Sequence, residues 1–379
     1  MKIALISRSW PPVERSGVSL ASESHAHMLI EQGHEVFILG SKIELTSPEL
    51  PACPKFLIDA KGSGSLYSPA RINKRQIEQV LLSINPDLVI VEAWQTALTD
   101  VAIDTANRLG LPVMLISHGI SVHAFSCQPV QLLRAVGWLI YRLFRLPRLI
   151  RKLSLLTVLD TKSTSDRFYD RKLATQFGIP TLPLKNAPRN FVKSVIPRDM
   201  RETKVLVVGY FSPIKNQLGA LKALKKLPHK IQMMFIGDRV GNYFHLCQKL
   251  SIKEGFGERV ILAQDDEVNV ASQIAGCGLV FAPSLTEALP MTLIEAMACG
   301  TPFVATPVGA ISGFRGGILA NSVTSQVKAI VKLIEDPVLW QNLSDIGRMQ
   351  YENEFSHDHI SSQLAKAVQA AVSLAPMQT

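Results

Sequence analysis

Short apolar runs alternate with helical stretches along almost all of the 379 residues, and this rhythm limits the folds open to the chain more than any single residue does. In the first half the strand-like runs are Ile3–Ser7, Val36–Leu39, Leu88–Val91, Val113–Ser117, Leu155–Leu159 and Thr181–Leu184. Val18–Gln32, Lys74–Ile84, Thr96–Leu109 and Ser163–Phe177 carry helical patterns between them. The second half repeats the plan with Lys204–Val208, Gln232–Ile236, Val260–Leu262, Leu279–Ala282 and Phe303–Ala305. Strands apolar on both faces must be covered on both faces, so the pattern predicts α/β architecture with parallel sheets between helical layers. The length suits two such domains. The break is expected near Arg189–Glu202, where charges and Pro197 interrupt the pattern before Lys204-Val205-Leu206-Val207-Val208-Gly209 restarts it. The tail, Ser356–Leu374, is helical in composition. In doubly wound domains the carboxyl ends of the strands face the ligand.

Composition narrows the function. Hydrophobic residues make up 47% of the chain, enough for sizeable cores. No window reaches the roughly 18 uninterrupted apolar residues of a spanning helix. Met1–Ile6 reads as a first strand rather than a leader, because it is short and ends at Ser7-Arg8. The five cysteines are scattered, have no metal spacing and are expected to be reduced in the cytosol. The net charge of +9 is lopsided: residues 1–200 carry 24 basic and 16 acidic side chains. Such a field favours an anionic partner. The basic residues are not interleaved with aromatics in a nucleic-acid motif, so nucleic acid is not the expected partner. Neither G-x-G-x-x-G nor G-x-x-x-x-G-K occurs, which argues against dinucleotide and P-loop sites.

The richest segment is Pro283-Ser284-Leu285-Thr286-Glu287-Ala288-Leu289-Pro290-Met291-Thr292-Leu293-Ile294-Glu295, followed by Ala296-Met297-Ala298-Cys299-Gly300-Thr301-Pro302. It reads as a loop after a buried strand, then a helix from Pro290 to Ala298 with Pro in its first turn and Gly300 and Pro302 stopping it. One glutamate stands in the loop and the other inside the helix. Unpaired N–H groups at such a helix terminus, near Leu289, Pro290, Met291 and Thr292, suit a phosphate. A carboxylate further in can accept hydrogen bonds from paired sugar hydroxyls. Together they suit a nucleotide sugar.

This segment resembles the glutamate-x7-glutamate motif of retaining glycosyltransferases with the GT-B fold (glycosyltransferase family four, "glycosyl transferases group 1"). The resemblance implies two Rossmann-like domains: an acceptor-binding domain over 1–190 and a nucleotide-sugar domain over 200–355. It also implies a C-terminal helix, 356–379, crossing back to the first. Glu287 would face the transferred sugar and Glu295 would hold the ribose hydroxyls. Ser16-Gly17-Val18 resembles the family's glycine loop, where Gly17 lets the backbone approach donor or acceptor. His118, directly after the strand Val113–Ser117, resembles a histidine that contacts the donor sugar. Gly209 to Asn216 resembles a Gly-Arg turn followed by a lysine. Lys215 matches and would neutralise the diphosphate, but Tyr210 stands where the arginine belongs. Gln264 falls where relatives recognise the base through backbone groups. Arg239 replaces the second glycine of a Gly-Asp-Gly turn at Gly237-Asp238. Asp265-Asp266-Glu267 offers a turn before a helix rather than a metal site. The family needs no metal ion or other cofactor beyond its donor, expected here as a UDP- or GDP-linked sugar.

Gln131–Leu153 is peculiar to this chain. Arg142, Arg145, Arg148 and Lys152 are spaced by three, three and four along one helix face, and no acid occurs from Thr105 to Leu159. Trp138, Tyr141, Leu143 and Phe144 lie among them. The pattern fits a helix resting on an anionic bilayer, and also a core helix with a solvated basic face. Pro147 would kink or split it. The chain is therefore expected to be a cytoplasmic glycosyltransferase, peripheral at the inner membrane face, acting on a lipid-linked or envelope glycan. The alternatives are a GT-B sugar-nucleotide epimerase or synthase, and a GT-B protein that binds without catalysing.

Overall fold

The computed structural model describes residues 1–14, 16–61, 71–120, 129–159, 168–186, 195–264 and 267–374, without the side chains of 129–134. The chain divides into two compact units, Met1–Arg189 with His357–Thr379, and Asn190–Ser356. The expected break near Arg189–Glu202 and the start of the expected helix Ser163–Phe177 lie partly outside the described residues.

In the first unit the strands are β1 (Lys2–Ile6), β2 (Glu35–Gly40), β3 (Lys55–Leu57), β4 (Ala60–Lys61), β5 (Arg71–Ile72), β6 (Leu88–Glu92), β7 (Val113–Ile116), β8 (Leu155–Val158) and β9 (Thr181–Pro183). Seven of them form one sheet in the order β3-β2-β1-β6-β7-β8-β9, with parallel pairing throughout. Its helices are α1 (Gly17–Glu31), α2 (Lys74–Ile84), α3 (Ala97–Arg108), α4 (Pro129–Ile140), α5 (Leu146–Ile150) and α6 (Tyr169–Gln176). Successive strand residues go to opposite faces, as the pleat requires. Ala4, Ile6, Val89 and Val91 join one core, and Ile3, Leu5, Leu88 and Ile90 join the other. The second core is closed by Ile360, Leu364, Ala367, Val368 and Ala371 from the C-terminal helix, which also accepts from Gln32 Nε2 at Ser361 O, 2.9 Å.

The second unit holds β10 (Glu202–Val208), α7 (Gln217–Leu224), β11 (Gln232–Ile236), α8 (Gly241–Lys253), β12 (Val260–Ala263), α9 (Val270–Gly276), β13 (Cys277–Ala282), α10 (Met291–Ala298), β14 (Phe303–Ala305), β15 (Gly317–Leu319), α11 (Val323–Glu335) and α12 (Pro337–Glu354); α13 (His357–Ser373) belongs to the first unit. Its parallel sheet runs β12-β11-β10-β13-β14-β15. The short strands β3 and β15 escape a sequence reading because they hold no fully buried residue and so carry little apolar signal.

The basic stretch is broken into three pieces. After α4 a π-helical turn spans Tyr141–Arg145, and α5 starts one residue before Pro147. The spacing of three, three and four does not leave four free cations. Arg145 Nη2 donates to Asp104 Oδ2 at 2.7 Å, and Lys152 Nζ donates to Asp104 Oδ1 at 2.6 Å. Arg145 Nε also reaches Asp100, whose carboxyl burial pushes up to about 6 against the pull of Tyr141 and Arg145. Arg142 stacks its guanidinium 3.6 Å from the Tyr169 ring centroid. Among the described residues of this stretch the exposed apolar side chains are Val136, Leu139, Ile140, Leu143 and Phe144, with Arg148 and Arg151 exposed beside them. Their spacing of three, one, three and one is a single apolar stripe.

In the second unit a buried guanidinium fixes the end of α10. Arg201 donates from Nη2 to Cys299 O at 2.9 Å and from Nη1 to Thr301 Oγ1 at 2.6 Å, with the Trp340 ring 4.8 Å away. A cation at a helix C-terminus opposes the negative end of the dipole, and here it also satisfies carbonyls that water does not reach. Arg201→Met keeps the length and removes the donors. It is expected to lower stability by about 2–4 kcal/mol, read as a lower melting temperature, because buried acceptors lose their partners.

Candidate active site

Two loops at the carboxyl ends of β10 and β13 meet in the second unit. Gly209, at the end of β10, takes a φ of 140°, which side-chain-bearing residues rarely adopt, and the stem of Lys215 passes 3.4 Å from where its Cβ would stand. Gly237 has to be glycine for a steric reason, since a Cβ would run into the Gly209 carbonyl. The loop is then ordered from three sides. Phe211 N donates to Asp238 Oδ1 at 2.9 Å, and Gln217 Nε2 donates to the carbonyls of Gly209 and Tyr210 at 3.2 and 3.0 Å. Asn216, in the left-handed region with φ 56°, caps α7 and donates from Nδ2 to Pro283 O at 3.0 Å. Leu285 N donates to Ile214 O at 2.8 Å. These bonds bring Lys215 to Glu287: Nζ to Oε1 is 2.7 Å, with the glutamate side chain 11% exposed. Gly309, at φ 55°, packs directly on the Glu287 carbonyl, and Ala310 N donates to Ala288 O at 3.0 Å, which holds the glutamate loop from beneath.

Helix α10 begins at Met291, one residue later than the sequence suggested. Pro290 is its N-cap, with ψ 114°, outside the helical region. Proline offers no side-chain acceptor, so no side chain caps this end and its first N–H groups point out of the helix unpaired by a cap. Lys215, Glu287, Pro290 and Thr292 line one open pocket floored by Val207, Val280 and Phe281. A cation, an anion and the positive end of a helix around one pocket can bind a phosphate and orient a hydroxylated group beside it.

The other expected residues fall around this group or apart from it. Glu295 is buried one turn into α10, at 8% exposure. Leu289 and Met291 flank Pro290 along the chain. Gln264 follows β12, and its N–H donates to Glu267 Oε2 at 3.0 Å. Arg239 is turned to Glu267 at 2.6 Å and to Leu262 O, so it does not stand in for the missing arginine. Tyr210 is 55% exposed, with Lys215 Nζ 6.0 Å from its ring centroid. Asp265 and Asp266 lie outside the described residues. Among the described residues no three of His, Cys, Asp and Glu are grouped to hold a metal ion.

In the first unit Gly17 opens α1, behind a capping box made by Ser16 and Ser19. His118 follows β7 and is almost buried. Sequence reasoning missed its partners. Glu92, the last residue of β6, accepts from His118 Nε2 at 2.7 Å and from His25 Nδ1 at 2.8 Å. Burial would raise the Glu92 carboxyl, but the two imidazoles outweigh it and hold it down at about 2. A charged residue ending an apolar strand was the available signal. Next to it, Trp94 Nε1 donates to Asp170 Oδ2 at 2.7 Å and Ser117 Oγ donates to the same oxygen. Burial pushes the Asp170 carboxyl up.

Two Rossmann-like halves with parallel sheets make this a GT-B fold. The fold agrees over 98% of the chain with the Anabaena protein HepE solved in complex with UDP, at a TM-score of 0.74, 17% identity and 100% coverage of that chain. Residues 188–350 match the family Glycosyl transferases group 1. Among curated relatives, an uncharacterised glycosyltransferase of Methanocaldococcus jannaschii is 27% identical over 157 residues, 40% of this chain and 43% of that protein. A D-inositol 3-phosphate glycosyltransferase of Gordonia bronchialis is 27% identical over 194 residues, 45% of this chain and 41% of that protein. The match thus spans less than half the length of these relatives.

The two imidazoles tie the ionised form of Glu92 to the folded state. Its folded value lies below the unfolded one of about 4.5, so its stabilising contribution is complete above about pH 4.5 and is lost as pH falls towards about 2. The stability difference between the wild type and Glu92→Gln is expected to shrink as pH falls from about 4.5 to about 2, measured by denaturant unfolding across pH.

Proposed function

We propose that this protein is a glycosyltransferase that moves a sugar from a nucleoside-diphosphate sugar to a hydroxyl acceptor. The observation that carries the reading is the Lys215–Glu287 pair beside the uncapped N-terminus of α10, in one pocket. The second unit binds the nucleotide and the first binds the acceptor. Lys215 and the α10 terminus stabilise the charge that grows on the diphosphate as its bond to the sugar breaks. Glu295 holds the ribose hydroxyls, and Glu287 orients the sugar and supplies a negative field without forming a covalent bond. The acceptor oxygen bonds to the anomeric carbon on the face from which the diphosphate leaves, and its proton passes to an oxygen of the departing phosphate, so the configuration is retained; the reading calls for no metal ion. The HepE likeness, with UDP bound there, favours a uridine nucleotide.

Binding of UDP, GDP, ADP and CDP is tested by thermal shift. A ligand at about 100 times its Kd should stabilise by about 2.7 kcal/mol. Lys215→Ala should weaken the preferred nucleotide by about tenfold to a hundredfold, the loss of a charged hydrogen bond of about 1.5–3 kcal/mol. Glu287→Gln should lower kcat with little change in nucleotide affinity. Binding of none of these nucleotides would sink the reading. A second reading, a protein that binds the nucleotide sugar without transferring it, is favoured by Tyr210, which gives the phosphates a ring in place of a guanidinium fork. It predicts normal nucleotide binding and no turnover with any acceptor.

The acceptor we propose is lipid-linked or part of an envelope glycan, reached at the surface of an anionic membrane. The support is the exposed stripe of Val136, Leu139, Ile140, Leu143 and Phe144, bordered by Arg148 and Arg151 in a span without acids. This face lies on a bilayer rather than crossing it, and among the described residues no helix is long and apolar enough to span one. The protein should float with vesicles containing anionic lipid at low salt. Leu143→Asp with Phe144→Asp should leave it at the bottom of the gradient with nucleotide binding intact. Wild-type protein that stays at the bottom refutes the membrane reading.

A further inference from the structure

Glu92 is closed to solvent, and so is His25; His118 keeps 6% of its side chain exposed. The carboxylate stands between the two rings, whose centroids are 6.4 Å apart. An ionised carboxylate only accepts hydrogen bonds. Both nitrogens that face it, His25 Nδ1 and His118 Nε2, must therefore carry hydrogen. For a neutral ring this leaves one tautomer each, Nδ1–H for His25 and Nε2–H for His118. The nitrogens left over, His25 Nε2 and His118 Nδ1, are buried and have no hydrogen-bond partner among the described residues. Bare buried polar atoms are rare in folded proteins, and each asks for a reason.

The backbone around the trio carries a second sign. Ala93 and Gln95, directly after Glu92, both take φ 65°, a conformation unfavourable for residues with a side chain. Trp94 between them and Ser117 before His118 are tied to the same oxygen of Asp170. Gly119 N donates to Ser117 Oγ at 3.1 Å. Strain and buried bonds together hold this edge of the sheet in one arrangement, as expected where a ligand is to be met.

We infer that Glu92 and His25 are positioning residues, which lock His118 so that its Nδ1 lone pair accepts a hydrogen bond from a hydroxyl of a bound sugar. The nature of the ligand rests on the glycosyl-transfer reading; the locking of the ring does not.

The test uses the full chain labelled with 15N-histidine, with the ring nitrogens read by long-range 15N–1H correlation and His118 assigned by its loss in His118→Asn. The wild type should show His118 as the Nε2–H tautomer at neutral pH. Added UDP-glucose should move the His118 Nδ1 resonance, and UDP alone should not. In Glu92→Gln the amide N–H must donate to one ring, so one of the two rings should switch tautomer. The same variant should lose at least tenfold in kcat for UDP-glucose turnover, with UDP affinity unchanged. A wild-type His118 in the Nδ1–H form, or averaged between forms, overturns the proposal without any variant having to fold. So does a Glu92→Gln protein with unchanged tautomers and kcat. Failure of the wild type to bind any nucleotide, with the Nε2–H tautomer present, overturns the transfer reading and upholds the locking of His118.

Discussion

The polarity of one short helix organises the second unit. Its C-terminus is sealed by the Arg201 guanidinium, which reaches Cys299 O and Thr301 Oγ1 in the core. Its N-terminus has only Pro290 as a cap and opens on the pocket. The negative end of the dipole is thus neutralised inside the protein, and the positive end is left for a ligand. The strand β13 before it and Gly309 after it set where that end points. Lys215 arrives from the neighbouring strand β10, because β10 and β13 pair in the sheet and their carboxyl ends lie side by side. The cation and the glutamate are 72 residues apart in sequence yet share a hydrogen bond.

The first unit uses the same geometry with different side chains. Strands β1, β6 and β7 are adjacent, so the helix after β1, the end of β6 and the residue after β7 converge. Those three places carry His25, Glu92 and His118. Each unit therefore places a carboxylate bonded to a basic side chain at the carboxyl edge of its central strands, where open α/β sheets bind ligands. In the second unit the pair is partly open, with Lys215 at 22% exposure; in the first it is closed except at His118. A partly open ion pair can re-form around a phosphate, whereas the closed carboxylate–imidazole contacts can only orient what they hold.

The basic stretch illustrates how far a charge pattern can be read. Four cations at helical spacing suggested one basic face. A π-turn and Pro147 rotate the later residues, and Asp100 and Asp104 of α3 take Arg145 and Lys152. What remains exposed is the apolar stripe on the same segment, with Arg148 and Arg151 beside it. Nothing in 131–153 contains those two acids, so local spacing could not anticipate their effect.

The sequence by itself determined the alternation of strands and helices, the two parallel sheets, the loop–helix unit around Glu287 and Glu295, and the position of His118 and Lys215 after strands. These follow from local rules: a pleat repeats every two residues, a helix every 3.6, and glycine and proline end both. Only the tertiary structure decided that Lys215 meets Glu287, that Arg201 seals α10, and that Glu92 stands between two histidines. Such pairings depend on which strands lie next to each other. That order is set by the burial of whole faces, to which residues far apart in the chain contribute together.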